Sequence, residues 1–391
     1  MMYRHACNPK LSTNHIDMLL SKITYSLDDI LSSTYNEDTN EIVIEYKEEG
    51  QLSKIRDYIE RIEEQVGKLR AMKKKRTREI SQLIQHDYEI SHDHLIDQIY
   101  SMKGKYIREL GVKLYDAIDA MFVKLAERFQ SELRKYPSLI PYEVLDKCNY
   151  IDSFPQNLFL VSEVPHDLDT IEELKHTSSV QNSTRLSGQL LSPAVCFHCY
   201  GELQDTKHDV PVVLTANGAC FRHEAPWRVG KHRLNEFRMR EIVFIGKPEF
   251  VKETRAQLLE EVWDIFVSLG LGGYIETAND PFYFSEDLLK GQFQLMDEMK
   301  YELIFERGDE ADVFSIASFN NMDTSLCTPF NIRNNHDEIL HSGCAAFGID
   351  RWLLALLMRY GLEVDNWPSS VIEKLGLHQT LYSSALPEGK S

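Results

Sequence analysis

The chain has 391 residues, 43% of them hydrophobic and 27% charged, and a net charge of −18. This is the composition of an ordinary globular protein, long enough for two to three domains or for one large domain with an appendage. It excludes a membrane span, since no apolar run approaches the ~18 residues one needs. It also argues against a broad grip on nucleic acid, whose affinity rests on positive charge.

The N-terminus MMYRHACNPKLS has no apolar signal core, which points to the cytoplasm. Seven cysteines, at 7, 148, 196, 199, 220, 327 and 344, are odd in number and irregular in spacing. They read as thiols or metal ligands rather than a disulfide framework.

Residues 1–50 carry little pattern beyond Ile42, Val43, Ile44 and Tyr46, which predict a short strand. Leu52, Ile55, Ile59, Ile62, Val66 and Leu69 then recur at alternating spacings of 3 and 4, the seam of a heptad helix. The basic run Lys73, Lys74, Lys75, Arg76 and Arg78 is expected to continue that helix. These features predict an N-terminal helical extension over 1–92 and a larger unit over 93–391. Residues 94–135 read as a second helical region, with Ile107, Leu110, Leu114, Ile118, Met121, Val123, Leu125 and Phe129 as its stripe and Pro137 and Pro141 beyond its end. Leu158 to Val161 reads as a strand, the polar stretch from His176 to Gln189 as a mobile loop, and Pro211 to Thr215 as another strand. Phe250, Leu258, Leu259, Val262, Ile265 and Phe266 mark an amphipathic helix stopped at Gly270 to Gly273. KYELIF and DVFSIASFNNMD are strand-like. A last helix is expected to start just after Gly343, and the tail from Pro387 to be frayed.

The chemistry concentrates in FRHEAPWRVGKHRLNEFRMREIVFI, residues 221–245. A strand alternates its side chains, so Arg222 and Glu224 share one face of a first strand, and Phe237, Met239 and Glu241 one face of a second. A hairpin presenting arginines, an aromatic ring and carboxylates on one surface suits a nucleoside triphosphate. Arginine grips phosphate in a fork, the ring stacks on the base, and a carboxylate accepts from an exocyclic amine.

This stretch resembles motif 2 of the class II aminoacyl-tRNA synthetases of the seryl type. GCAAFGIDRW, residues 343–352, resembles their motif 3. The resemblance implies an α+β fold, an antiparallel sheet flanked by helices, and a homodimer. It implies that Arg222 binds the α-phosphate and the amino acid carboxylate, Glu224 the adenine amine and Arg233 the γ-phosphate. Phe237 would stack on adenine, and Arg351 would sandwich the base and meet the γ-phosphate. ATP and Mg2+ are the cofactors it implies. The positions expected to hold magnesium carry Phe314 and Ala317, so Glu302 is the substitute candidate. Asp280, in the NDPFY stretch, would accept from the substrate amine.

Cys196-Phe-His-Cys199 has no second CxxC or His pair to complete a four-ligand structural zinc site. A set drawn from three elements remains: Cys196, Glu241 and Cys344, with Cys344 placed two helical turns before Arg351. Two thiolates and a carboxylate leave a fourth zinc position open for a substrate amine. The alternative is a pair of buried free thiols. Within the superfamily this set is similar to that of the amino acid:[carrier protein] ligases and of the atypical seryl-tRNA synthetases. The former implies activation of glycine or alanine and transfer to the phosphopantetheine thiol of an acyl carrier protein. The acidic charge and the missing two-helix arm favour it and make tRNA an unlikely partner. A non-catalytic paralogue is a third reading, motivated by Phe314 and Ala317.

Overall fold

The computed structural model describes residues 1–25, 27, 30–69, 73–81, 94, 95, 97, 99–101, 106–176, 180–230, 232–280, 288–307 and 313–377. The expected boundary at 92 and the tail from Pro387 lie outside them.

The N-terminal module is a small α/β unit rather than a helical extension. Strands β1 (Met2–Ala6), β2 (Ile30–Asn36) and β3 (Glu41–Tyr46) form an antiparallel sheet in the order β1-β3-β2. Helices α1 (Thr13–Thr24) and α2 (Leu52–Gly67) cover it. Ile55, Ile59, Ile62 and Val66, the heptad seam, pack with Leu19, Ile23, Ile42 and Ile44 in one core. A 3.6-residue stripe serves a sheet as well as a second helix, and the sheet is what the weak pattern of residues 1–50 concealed.

The basic run does not continue α2. Arg76–Ile80 is strand β4, and it pairs antiparallel with Gly273–Thr277 at the edge of the main sheet. The hairpin β5 (Tyr100–Ser101) and β6 (Tyr106–Ile107) leads into α3 (Leu110–Arg128). There follow β7 (Glu132–Arg134), β8 (Leu139–Pro141), the short helices α4 (Tyr142–Lys147) and α5 (Tyr150–Ser153), β9 (Leu160–Glu163), α6 (Leu168–His176) and β10 (Arg185–Leu191). Part of the expected polar loop is therefore strand: β10 lies between β8 and β9 in a three-stranded sheet. Helix α7 (Cys196–Glu202) precedes the hairpin β11 (Val212–Phe221) and β12 (Glu236–Gly246). Then come α8 (Pro248–Ser268), β13 (Gly273–Thr277), α9 (Leu288–Met296), β14 (Lys300–Glu306), β15 (Val313–Asp323), β16 (His341–Gly348), α10 (Ile349–Tyr360) and α11 (Ser369–Leu375).

The main sheet has eight strands in the order β4-β13-β14-β15-β16-β12-β11-β7. Every pair is antiparallel except β7 with β11. This is the expected fold class, an α+β architecture with an antiparallel sheet flanked by helices. One face carries Ile242, Phe244, Phe319, Ala345 and Phe347 against α3, α8 and α10, forming the larger core. The opposite face carries Met239, Val243 and Cys344 beneath α7 and the 139–158 region. The site lies on this second face. Among the described residues, no helix is long and apolar enough to cross a membrane.

Candidate active site

Sheet register brings the chemistry into two adjacent rows. One row runs Glu276, Glu302, Ser318, Ala346, Glu241, Ala216 across β13, β14, β15, β16, β12 and β11. The next runs Lys300, Asn320, Cys344, Val243 across β14, β15, β16 and β12. Side chains of such rows point the same way on a pleated sheet. Glu241 and Cys344 are therefore neighbours by register, and Cys196, the first residue of α7, is laid over them.

The side-chain donors of Cys196, Glu241 and Cys344 all lie within 4.8 Å of one another, and all three residues are buried. Cys344 reaches the cluster from a strand. The helix expected just after Gly343 begins at Ile349, so the two-turn argument linking Cys344 to Arg351 does not hold. The backbone N–H of Val195 donates to Glu241 Oε1 at 2.7 Å, and Asn320 Nδ2 donates to Cys344 Sγ at 3.4 Å. A hydrogen bond with Cys344, burial and the nearby Glu241 carboxylate raise the Cys196 thiol well above its usual range. Burial likewise raises Glu241, against the hydrogen bonds that Cys196 and Val195 give it. Two thiols and a carboxyl at this separation are a donor set that could hold a metal ion.

Arg222 and Glu224 follow β11, which ends at Phe221, rather than lying on it. The ladder continues one step, with Arg222 N–H bonded to Asn235 O at 2.9 Å. The Arg222 guanidinium lies 5.3 Å from the centre of the Phe237 ring, and its Nε donates to Pro193 O at 3.2 Å. Glu224 is buried and accepts from Arg233 Nη1 at 3.1 Å on both oxygens. Arg351, near the start of α10, donates to the carbonyls of His232 and Ser315, each at 2.8 Å. Burial, with Arg233 and Arg222 nearby, pushes Arg351 down to about 10. Positive charge thus stands in excess here, as a polyanion site requires.

Asp280 and Glu302 meet at Lys300. Its Nζ lies 2.5 Å from Asp280 Oδ1 and 3.2 Å from Glu302 Oε1. Gln294 Nε2 donates to Asp280 Oδ2 at 2.9 Å. Burial opposes the charge of Asp280, but Lys300 and Gln294 more than offset it and lower its pKa. The rest of the NDPFY stretch, from Pro281, lies outside the described residues. Phe314 and Ala317 belong to the helix-side core, whereas Ser318 stands beside Glu302. Residue 316, at a register shift between β14 and β15, accounts for the change of face.

Lys300, Ser318 and Asn320 were not singled out as site residues by sequence reading. The signal for Lys300 was available: it is two residues from Glu302 on a strand, hence on the same face. Ser318 was hidden by the bulge.

Residues 189–360 match the model of the tRNA synthetase class II core domain (G, H, P, S and T). The fold is class II synthetase-like, with its antiparallel sheet flanked by helices. The chain is 28% identical over 280 residues to the type-2 serine–tRNA ligase of Methanopyrus kandleri, a match covering 66% of this chain and 53% of that one. It is 28% identical over 310 residues to the amino acid–[acyl-carrier-protein] ligase 1 of Bradyrhizobium diazoefficiens, covering 76% of this chain and 93% of that one. The match thus spans about half the length of the serine–tRNA ligase and nearly all of the carrier-protein ligase. A solved structure of M. kandleri SerRS in complex with A. aeolicus tRNASec superposes with a TM-score of 0.69 at 20% identity, over 96% of this chain and 77% of that one. The hairpin β11–β12 with its loop carries Arg222, Glu224, Arg233, Phe237 and Glu241, and the β16–α10 junction carries Cys344 and Arg351, all within the matched residues.

Proposed function

We propose that the protein is a zinc-dependent ligase that activates a small amino acid, glycine or alanine, with ATP and transfers it to the phosphopantetheine thiol of an acyl carrier protein. The observation that carries this reading is the buried Cys196–Glu241–Cys344 cluster beside the arginines of the hairpin. Two thiols and a carboxyl at this separation fit zinc by donor type and number. Cys196, Glu241 and Cys344 would hold the zinc, which would supply Lewis-acid binding of the substrate's neutral amine.

In the activation step a carboxylate oxygen of the amino acid bonds to the α-phosphorus, and the bond from that phosphorus to the bridging oxygen breaks. Pyrophosphate leaves with the electron pair. An anion attacks a polyanion, so positioning and charge stabilisation carry the rate. Arg222 is assigned to the α-phosphate and the substrate carboxylate, Phe237 to stacking on adenine, and Glu224 to its amine. Arg233 and Arg351 are assigned to the γ-phosphate. Asp280 is assigned to the substrate amine, with Lys300 holding its carboxylate ionised. The residues present do not form a magnesium site of the expected kind. Phe314 and Ala317 face the core, and Glu302 is paired with Lys300.

In the second step the carrier thiol adds to the adenylate carbonyl, and AMP departs as the carbon–oxygen bond breaks. Support for a carrier protein comes from the match over 93% of the carrier-protein ligase. The state of the basic run also supports it. Lys74 pairs with Glu276, Lys75 with Glu298, Arg76 with Glu79 and Arg78 with Glu260, which leaves little free charge for phosphates. A homodimer and a cytoplasmic location complete the reading. The helix α3 followed by β7, parallel to β11, suits the dimer-forming motif of the family.

A seryl-tRNA synthetase activity is the second reading. The superposition over 96% of the chain favours it, because that share takes in most of the N-terminal module. Loading assays decide between the two. Thioester on a phosphopantetheinylated carrier supports the first; charged tRNA with an unloaded carrier supports the second.

A further inference from the structure

The N-terminal module touches the hairpin of the synthetase core. Trp227, in the turn after Glu224, packs against the module's own hydrophobic core. At the end of α1, the Tyr25 hydroxyl donates to Glu224 Oε2 at 2.9 Å, across 199 residues of sequence. Arg228 is an electrostatic neighbour of the same side chain. Glu224 also has its backbone N–H bonded to Asn235 Oδ1 at 3.0 Å.

We propose that the N-terminal module is part of the nucleotide site, with Tyr25 as a positioning residue that holds the Glu224 carboxylate and thereby sets purine selectivity. This rests on the reading of Glu224 as acceptor for the adenine amine. A carboxylate has room for about four hydrogen bonds. Tyr25 and Arg233 take up both oxygens; when Arg233 turns to the γ-phosphate, Tyr25 keeps the carboxylate oriented, and capacity for the adenine N–H remains. A carboxylate fixed there accepts from the 6-amino group of adenine and repels the 6-oxo group of guanine. Released from Tyr25, it turns away and discriminates less. The module thus has a role that needs no tRNA.

The test is Tyr25→Phe in the full chain, which removes one oxygen and keeps the ring. ATP and GTP binding are measured by calorimetry, with thermal melting as the folding control. The expected result is ATP affinity roughly 10- to 100-fold weaker, since the contact is one hydrogen bond to a charged group, GTP affinity unchanged or tighter, and a cooperative melt retained. A purely structural contact would move the midpoint and leave the ATP-to-GTP ratio alone. Unchanged ATP affinity and selectivity in the variant overturns the inference, as does tighter ATP binding, which would make Tyr25 a lock. If the unmodified chain binds no ATP, the nucleotide-site reading itself falls, and the inference with it.

Discussion

Asp280 shows how one neighbour sets the behaviour of a residue. Burial alone would raise its pKa, yet the Lys300 ammonium and Gln294 amide lower it. A carboxyl with a depressed folded-state pKa stabilises the fold above its unfolded value, ~3.9, and that contribution is lost as pH falls through the lower folded value. Asp280→Asn should therefore flatten the acid limb of stability below about pH 4, followed by circular dichroism; an unchanged acid limb would contradict the pairing. Gly343 answers to sterics instead. A Cβ there would lie 2.3 Å from the Phe244 ring and 2.7 Å from the Asn320 carbonyl. Because the carbonyl belongs to the backbone of β15, Gly343→Ala should part the strands on both sides of Cys344. A loss of roughly 1–3 kcal/mol is expected in urea unfolding, together with weaker metal retention.

The elements hold together through a few buried polar ties. Arg240, on the helix-facing side of β12, forms a fork with Asp119 of α3, at 2.6 Å from Nε and 2.8 Å from Nη2. Asp119→Ala strands a buried guanidinium and should cost roughly 3 kcal/mol in denaturant unfolding; a loss within a few tenths would show that the tie is dispensable. This scale also separates what the sequence reveals from what it hides. Period-two alternation placed Phe237, Met239 and Glu241 on one face of β12, and the stripe from Phe250 to Phe266 marked α8, because local spacing alone decides both. The strand β16 was misread as the start of a helix. GCAAFG has no polar side chain to alternate with its apolar ones, as in a strand buried on both faces, so periodicity carried no signal there. Strand β4 was misread for the opposite reason. Arg78 within it pairs with Glu260, and Lys74 just before it with Glu276, some two hundred positions away, and no local pattern announces such partners. The nearness of Cys196 to Cys344 likewise arises from strand register and the packing of α7, not from spacing.

At the scale of the whole molecule, a net charge of −18 accompanies a site with an excess of arginine, so positive charge is concentrated where the triphosphate is proposed to sit. The basic run is spent on the chain's own carboxylates, and full-length protein should bind tRNA weakly even at low salt, by filter binding or mobility shift. Tight, salt-sensitive binding would move the assignment to the serine–tRNA ligases. The central claim is that a metal held by Cys196, Glu241 and Cys344 serves amino acid activation beside Arg222 and Arg351. The most direct measurement is ATP–pyrophosphate exchange by the purified protein with each common amino acid, before and after a chelator and again after zinc is restored. Exchange with glycine or alanine, abolished by chelation and recovered with zinc, is the expected result. Exchange that survives complete removal of the metal, or none at all in protein shown to contain it, would contradict the account; the second outcome would favour a non-catalytic paralogue.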